Sequence, residues 1–348
     1  MKWTIVPAAR FSDHAARWDA LNKAGPAAPM LAASFVASLL DCFGTGAELL
    51  ALCEEHGHTC VAAVLAPQGP GRWATFQPAQ APVGLWLQRP GLEPAAPAAS
   101  LMRALPGLTL LLALTQCDPL LAPRPADDGR VRTLDYIATA RIDVDADGGF
   151  DAYWQARGKN LRNNLKKQRN RLAADGVSTR LETVTLEADM AGAVRDYGRL
   201  ESAGWKAGSG SAVDAANAQG RFYTQMLEAF ARKGQARVYR YWFGEQLVAM
   251  DLCIHERDCI VILKTAYDES VPSSLSPALL MREEAVRGLF DEGSVARIEF
   301  YGRVMEWHTR WTDAVRTLYH LNLYRWPLLT RTHALLQARA AATTNNGA

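Results

Sequence analysis

Three groups of residues in the C-terminal third of the chain have types and spacings that could do chemistry. His308 stands in Glu306-Trp307-His308-Thr309-Arg310-Trp311. An imidazole with an ordinary pKa of about 6.5 suits proton transfer at neutral pH, and Glu306 is close enough in sequence to bias it. Packing between Trp307 and Trp311 is the plain alternative for the same residue. Asp251 interrupts the apolar run Leu247–Ile254, where an unpartnered carboxylate is costly to bury. Lys264, on the next run, is a candidate partner, and a structural ion pair competes evenly with a role in a substrate cleft. Glu299, Tyr301 and Arg303 alternate along a strand end, so all three can face one side.

The elements that must position these groups run from Arg237 to Trp311. Arg237–Phe243 and Leu247–His255 read as strands joined by Gly244-Glu245, and Cys259–Tyr267 as a third after the turn Glu256–Asp258. Ser273-Ser274-Leu275-Ser276-Pro277 then opens an apolar helix ending near Gly293. Pro277 suits the first helical position and Ser276 the N-cap. Exposed N–H groups at such a helix start favour an anion, although an ordinary capped helix reads the same way. A strand, Arg297–Tyr301, leads into the aromatic-basic loop.

Upstream, Phe150–Ala174 reads as one long helix with an apolar stripe through Trp154, Leu161, Leu165 and Leu172. From Arg157 to Arg171 it carries seven basic residues and no acid, a face fit for tRNA, CoA phosphates, an acidic carrier protein or anionic lipid, or simply for water. Leu181–Val184 is a strand, Leu186–Ser202 and Gly220–Lys233 are helices, and Ala314–Tyr324 is a late strand before a terminal helix Leu328–Ala341. Trp205-Lys206 followed by a Gly/Ser stretch reads as a flap or as a plain surface loop. The first part repeats the order: strand Trp3–Val6, helices to Lys23 and over Ala32–Phe43, a meander Ala47–Cys53, Thr59–Ala66 and Arg72–Phe76, helix Ala98–Ala104, then strands Leu108–Ala113 and Arg130–Val144. The break at Asp145–Gly149 divides the chain into 1–145 and 146–348.

Composition narrows the classes. The 38 Lys and Arg nearly balance 36 Asp and Glu, so whole-molecule charge argues for neither nucleic acid nor membrane. Six cysteines without a Cys-x-x-Cys pair read as buried thiols of a reducing compartment, and no metal is implied. No apolar run approaches the ~20 residues that span a bilayer, and the first residues lack a signal-peptide core. A soluble, cytoplasmic protein is the expectation. No phosphate loop or dinucleotide fingerprint is present.

Taken in order, the basic helix Lys159–Leu172, Glu201-Ser202-Ala203-Gly204-Trp205-Lys206, Arg221-Phe222-Tyr223, the strand pair Tyr239–Phe243 and Gln246–Ile254, Ser276-Pro277-Ala278-Leu279-Leu280-Met281, Glu299-Phe300-Tyr301-Gly302 and Glu306–Trp311 resemble the acetyltransferase-like module of the CelD and FemAB groups within the GNAT superfamily. The resemblance covers roughly residues 150–325. It implies an α/β fold of two tandem GNAT-like halves, each a mixed, mostly antiparallel sheet flanked by helices, with the first half degenerate. It also implies acyl-CoA as donor, held along Cys259–Tyr267 by Lys264, Thr265 and Ala266, with its pyrophosphate at Ser273, Ser274, Leu275, Ser276 and Pro277. Direct attack by an amine or hydroxyl acceptor would use His308, Asp251 or Glu299 as base. Trp205, Lys206, Tyr267, Tyr301, Arg303, Glu306 and Trp307 would meet substrate. Two positions depart from the pattern: Pro277-Ala278 replaces Pro-Gly, and Trp307-His308 replaces Tyr-Lys. An aminoacyl transferase of FemX type using charged tRNA, and a non-catalytic module binding CoA or a carrier protein, are the other readings of the same residues.

Overall fold

The computed structural model describes residues 1–25, 27–144, 148–202, 213, 214 and 216–330. The chain enters through β1 (Lys2–Pro7), α1 (Phe11–Ala24), α2 (Ala33–Phe43), β2 (Leu49–Glu55), β3 (His58–Pro67), β4 (Arg72–Thr75) and a short β5 (Trp86–Gln88). Then come α3 (Ala95–Ala104), β6 (Leu111–Cys117) and β7 (Val131–Asp143). The second half has α4 (Gly149–Gln155), α5 (Lys159–Ala174), β8 (Thr179–Val184), α6 (Glu187–Ser202), α7 (Ala218–Ala231), β9 (Ala236–Phe243), β10 (Gln246–Glu256) and β11 (Cys259–Tyr267). It closes with α8 (Pro277–Glu292), β12 (Arg297–Glu299), α9 (Glu306–Thr309) and β13 (Val315–Tyr324).

Local chemistry accounts for the elements nearest the site. Gly244 adopts φ +55° at the β9–β10 turn, where a Cβ would be penalised. Pro277 starts α8 at a position whose N–H has no intrahelical partner, and Gly293 ends it in the left-handed conformation (φ 61°).

The strands form one sheet in the order β1-β2-β3-β4-β6-β13-β7-β12-β11-β10-β9-β8, with β5 beside β3. That order is symmetric about its centre. Each half builds a strand, two helices, a meander, a helix and a parallel return strand. Parallel pairing occurs at β4–β6 and at β11–β12. Each half's last strand crosses over: β7 pairs with β12, and β13 pairs with β6. The two crossing strands meet antiparallel along Val315–Leu323 and Val131–Ala140. The fold is thus two tandem GNAT-like halves stitched at their inner edges.

One face of the sheet is covered by α1, α2, α6 and α7, whose buried residues make a single core across both halves. Phe222 of α7 meets Phe35 and Phe43 of α2 at ring separations of 5.4 and 5.6 Å. The opposite face divides, with α4, α5 and α8 over the second half and α3 over the first.

The long helix expected over Phe150–Ala174 is two helices. Gly158 is extended (φ −55°, ψ 134°) and restarts the chain as α5. Before it, Tyr153 and Arg157 both donate to the Trp311 carbonyl, at 2.7 and 3.0 Å. These bonds tie the end of α4 to the segment before β13, while α5 reaches α8 through the ion pairs of Arg169 with Glu283 and Glu284. Trp154 therefore belongs to α4, and the α5 stripe is Leu161, Leu165, Gln168 and Leu172. The terminal helix reaches only Thr330 within the described residues.

Candidate active site

Strand β11 pairs with β12 only over Cys259–Val261, and β12 stops at Glu299 while β11 runs on to Tyr267. Between the free end of β11 and the start of α8 lies a cleft of about 680 Å³. Thr265, Tyr267, Ser273, Leu275, Ser276, Pro277, Ala278, Arg282 and Trp307 are among its lining residues.

A bulge decides which β11 side chains face it. Leu252 pairs with Lys264 and Cys253 with Ile262, so Leu263 is the extra residue. Before it Ile260 and Ile262 face α8; after it Thr265 does, while Leu263 and Ala266 pack toward α6 and α7. Lys264 follows them. Its ammonium pairs with Glu201 at 3.1 Å and lies over the rings of Tyr197 and Tyr223.

Lys264 therefore does not partner Asp251. The partner is Arg282 of α8, at 2.9 Å, with Asp251 fully buried and Arg282 only 2% exposed. Thr265 Oγ1 donates to Asp251 Oδ1 at 2.5 Å and accepts from Arg282 Nη2 at 3.0 Å. The guanidinium also lies 5.4 Å from the Phe300 ring and 5.6 Å from Trp307. Burial pushes the Asp251 carboxyl pKa up, with Arg282 opposing. Arg282 sits at i to Ala285, Val286 and Leu289 at i+3, i+4 and i+7, on the buried face of α8. An arginine on an apolar stripe was the sequence signal for this group, and the apolar reading of the helix passed over it.

His308 is buried at the third position of α9, where its Nδ1 accepts the Met305 N–H at 3.0 Å. Its ring stacks on Trp307 at 3.5 Å and meets Phe300 edge-on. Burial, followed by the positive charge of Arg282, lowers its pKa to about 4. With Nδ1 engaged as acceptor, the neutral ring carries its proton on Nε2 and presents a donor. Glu306 does not bias it: that carboxylate is exposed and pairs with Arg310 at 2.7 Å.

Glu299 and Tyr301 are brought together, but away from the cleft. Glu299 pairs with Arg316 at 2.9 Å; Arg316 also holds Asp118, which accepts the Tyr301 hydroxyl at 2.7 Å. Burial raises the Glu299 pKa, with Arg316 opposing. Tyr301 has φ +52°, a strained backbone that this buried cluster maintains. Arg303 lies exposed beyond the strand. Glu306 instead lines a second, polar cleft of about 620 Å³ with Arg157, Asn160, Asn164, Thr309 and Arg310. Trp205 and Lys206 lie outside the described residues.

At the start of α8, the Ser276 hydroxyl makes no capping bond, and the Ser276 N–H donates to Gln168 of α5 at 2.7 Å. Leu279 and Leu280 both donate to the Ser276 carbonyl. Pro277 has no N–H, so Ala278 supplies the turn's remaining donor. Ser274 accepts from Arg171 at 2.5 Å, placing the basic end of α5 beside this loop. The rest of the basic run is partly spent: Arg169 pairs with Glu283 and Glu284, while Lys159, Lys166 and Lys167 are exposed. Among the described residues no cluster of His, Cys, Asp and Glu is arranged to hold a metal ion, and no helix is long and apolar enough to cross a membrane.

Residues 159–309 match the family model described as the acetyltransferase (GNAT) domain. No curated protein matches the sequence. Solved structures share the fold at low identity. FemX aligns at 9% identity and TM-score 0.58 over 95% of this chain and 99% of that one. The C-terminal domain of a putative lysylphosphatidylglycerol synthetase from Agrobacterium fabrum aligns at 14% and 0.56, over 94% and 96%. A conserved protein of unknown function from Bacteroides thetaiotaomicron aligns at 10% and 0.54, over 93% and 100%. The cleft between β11 and α8 thus lies inside a segment with the sequence pattern of a GNAT acetyltransferase domain, carried by the second of two tandem GNAT-like halves.

Proposed function

We propose that this chain moves an acyl group from an acyl-CoA to an amine or hydroxyl of a cell-envelope, polysaccharide or small-metabolite acceptor. The observation that carries the reading is the position of the cleft: it opens where two parallel strands diverge, against a helix start, within residues matched by the GNAT acetyltransferase model. The free edge of β11 from Leu263 to Tyr267 offers backbone groups to the pantetheine amides. The loop Ser273–Pro277, with Ala278 N–H and Arg171 beside it, takes the pyrophosphate. Tyr267 and Trp307 flank the acyl end.

Asp251 is the base of this reading, reached through Thr265. The Thr265 hydroxyl lines the cleft and already donates to Asp251, so it can accept the acceptor's proton while passing its own inward. The raised Asp251 pKa brings its proton affinity nearer to what that transfer needs. His308 serves as a donor through Nε2, and Glu299 braces β12 through Arg316. The polar cleft lined by Glu306, Asn160 and Asn164 is the acceptor's approach.

Thermal-shift measurement with acetyl-CoA and longer acyl-CoAs tests the donor, because a ligand that binds only the folded state must raise the midpoint. A rise with at least one acyl-CoA supports the reading; no rise with any of them overturns it. Aminoacyl transfer from charged tRNA is the second reading, favoured by the exposed Lys159, Lys166 and Lys167 on α5. Charge reversal at Lys166 and Lys167 then abolishes RNA binding. Arg169 is left unchanged because it holds α5 to α8.

A further inference from the structure

The second cleft, of about 620 Å³, has walls whose chemistry selects what can occupy it. Its size falls in the ~300–1,000 Å³ range of small-molecule sites. Its charged groups cancel: Arg310 pairs with Glu306 at 2.7 Å, and Arg157 with Asp313 at 3.7 Å. Ala156 and Leu161 supply its apolar side chains, and the rest of the wall is polar. Two carboxamides there are unspent. Asn160 and Asn164 line the cleft one turn apart on α5, both exposed, and neither side chain has a hydrogen-bond partner among the described residues.

Each carboxamide carries a donor and an acceptor side by side, a pairing that two neighbouring hydroxyls satisfy. At i and i+4 the two Cβ atoms stand ~5–6 Å apart, about the width of one sugar ring. Thr309 gives its hydroxyl proton to the Glu306 carbonyl at 2.8 Å, which leaves its lone pairs to accept. A cationic ligand would find each carboxylate already matched by a guanidinium, and an anionic one would find each guanidinium matched by a carboxylate. A ligand with a broad apolar face would meet a mostly polar wall. A neutral, hydroxyl-rich one fits both conditions. The cleft also adjoins the donor cleft. Glu306 and Thr309 of α9 line one, and Trp307 between them lines the other. Helix α5 reaches both, with Asn164 in the polar cleft and Gln168, one turn on, accepting the Ser276 N–H.

We propose that this cleft binds a neutral saccharide and that the group acylated is one of its hydroxyls. Binding follows from the polar cleft alone, whereas the role as acceptor rests on the acyl-donor reading of the β11–α8 cleft. In the transfer, the saccharide oxygen forms a bond to the thioester carbonyl carbon and the carbon–sulfur bond breaks. The sulfur leaves with the electron pair. The hydroxyl proton ends on that sulfur, so the products are a sugar ester and the free CoA thiol.

The test is calorimetric titration with linear trisaccharides of matched size at one mildly acidic pH. Cellotriose, maltotriose and mannotriose are the neutral probes, the protonated glucosamine trimer is the cation, and trigalacturonate is the anion. Three proteins are compared: the natural chain, Asn160→Leu/Asn164→Leu, and Asn164→Asp. Both positions are exposed on a helix and leucine is a strong helix former, so the double variant keeps the fold. The natural chain should bind at least one neutral trisaccharide more tightly than either charged one. The leucine variant should bind it about tenfold more weakly or worse, for want of the carboxamide hydrogen bonds, at an unchanged melting temperature. Asn164→Asp should move the preference to the glucosamine trimer. Binding of no neutral trisaccharide, tighter binding of a charged one by the natural chain, or unchanged affinity in the leucine variant overturns the assignment. Acetyl-CoA titrated into the same natural chain reads the donor cleft separately, so either reading can fail without the other. Saccharide and acetyl-CoA both bound without release of CoA thiol would overturn the acceptor role and leave both binding sites standing.

Discussion

At the residue scale, the ion pair Arg282–Asp251 and the imidazole of His308 make opposite predictions about charge. Replacing Arg282 by Met alone strands a fully buried carboxylate and should cost about 3–5 kcal/mol of stability, whereas removing both partners should be close to neutral. Urea denaturation of the two variants checks this, and equal losses would contradict it. His308 has a native pKa of about 4, below its unfolded value of about 6.5. The native state therefore binds that proton more weakly than the unfolded chain. The stability linked to this group is complete above pH 6.5 and is lost as pH falls toward 4. His308→Gln should remove that component of acid sensitivity while keeping the turn, because glutamine at the third helical position accepts the same backbone N–H. An NMR titration of the natural protein showing His308 charging near pH 6.5 would contradict the assignment.

At the element scale, the features readable from sequence were those with local causes. The β9–β10 turn at Gly244, the N1 proline and left-handed terminal glycine of α8, and strand β11 all came from residue types within a few positions of one another. The α4–α5 break was hidden because it depends on Trp311, 154 and 158 residues away from the side chains that bind its carbonyl. The partner of Asp251 was misread for a related reason: strand register alone put Lys264 nearby, but the Leu263 bulge turns it to the other face. The bulge makes its own prediction. Deleting Leu263 restores simple alternation while leaving Lys264 toward α6 and Thr265 toward α8, with the β10–β11 pairs on either side kept. Acyl-CoA binding should then persist by calorimetry, and its loss would show that the extra residue itself, and not only the facing of Thr265, sets the cleft.

At the scale of the whole molecule, the two halves share a strand order, but their parallel strand pairs end differently. In the first half the divergence of β4 and β6 is closed. Thr75 and Thr115 share a hydroxyl hydrogen bond of 2.7 Å across it, and the Gly84 N–H donates to the Thr115 carbonyl. A Cβ at Gly84 would collide with Thr115 and Thr75, so glycine is required for that segment to enter. One acyl-CoA per chain is the expected stoichiometry by calorimetry; two equivalent sites would contradict it. Helices α1 and α2 of the first half complete the core under α6 and α7. The common core also predicts one unfolding transition by circular dichroism and tryptophan fluorescence, with Phe222→Ala lowering the stability of both halves together by about 3–5 kcal/mol.

The central claim is that the β11–α8 cleft takes an acyl-CoA by its phosphates and thioester. Ala278→Asp tests it most directly. A carboxylate in the first turn of α8 interacts favourably with the helix dipole, so the unliganded protein should be as stable as before or slightly more so. The same carboxylate occupies the place assigned to the pyrophosphate and repels it. Calorimetric titration with acetyl-CoA should show binding to the natural chain and none to Ala278→Asp at an undiminished unliganded melting temperature. Equal affinity in the two proteins would place the donor elsewhere and contradict the account.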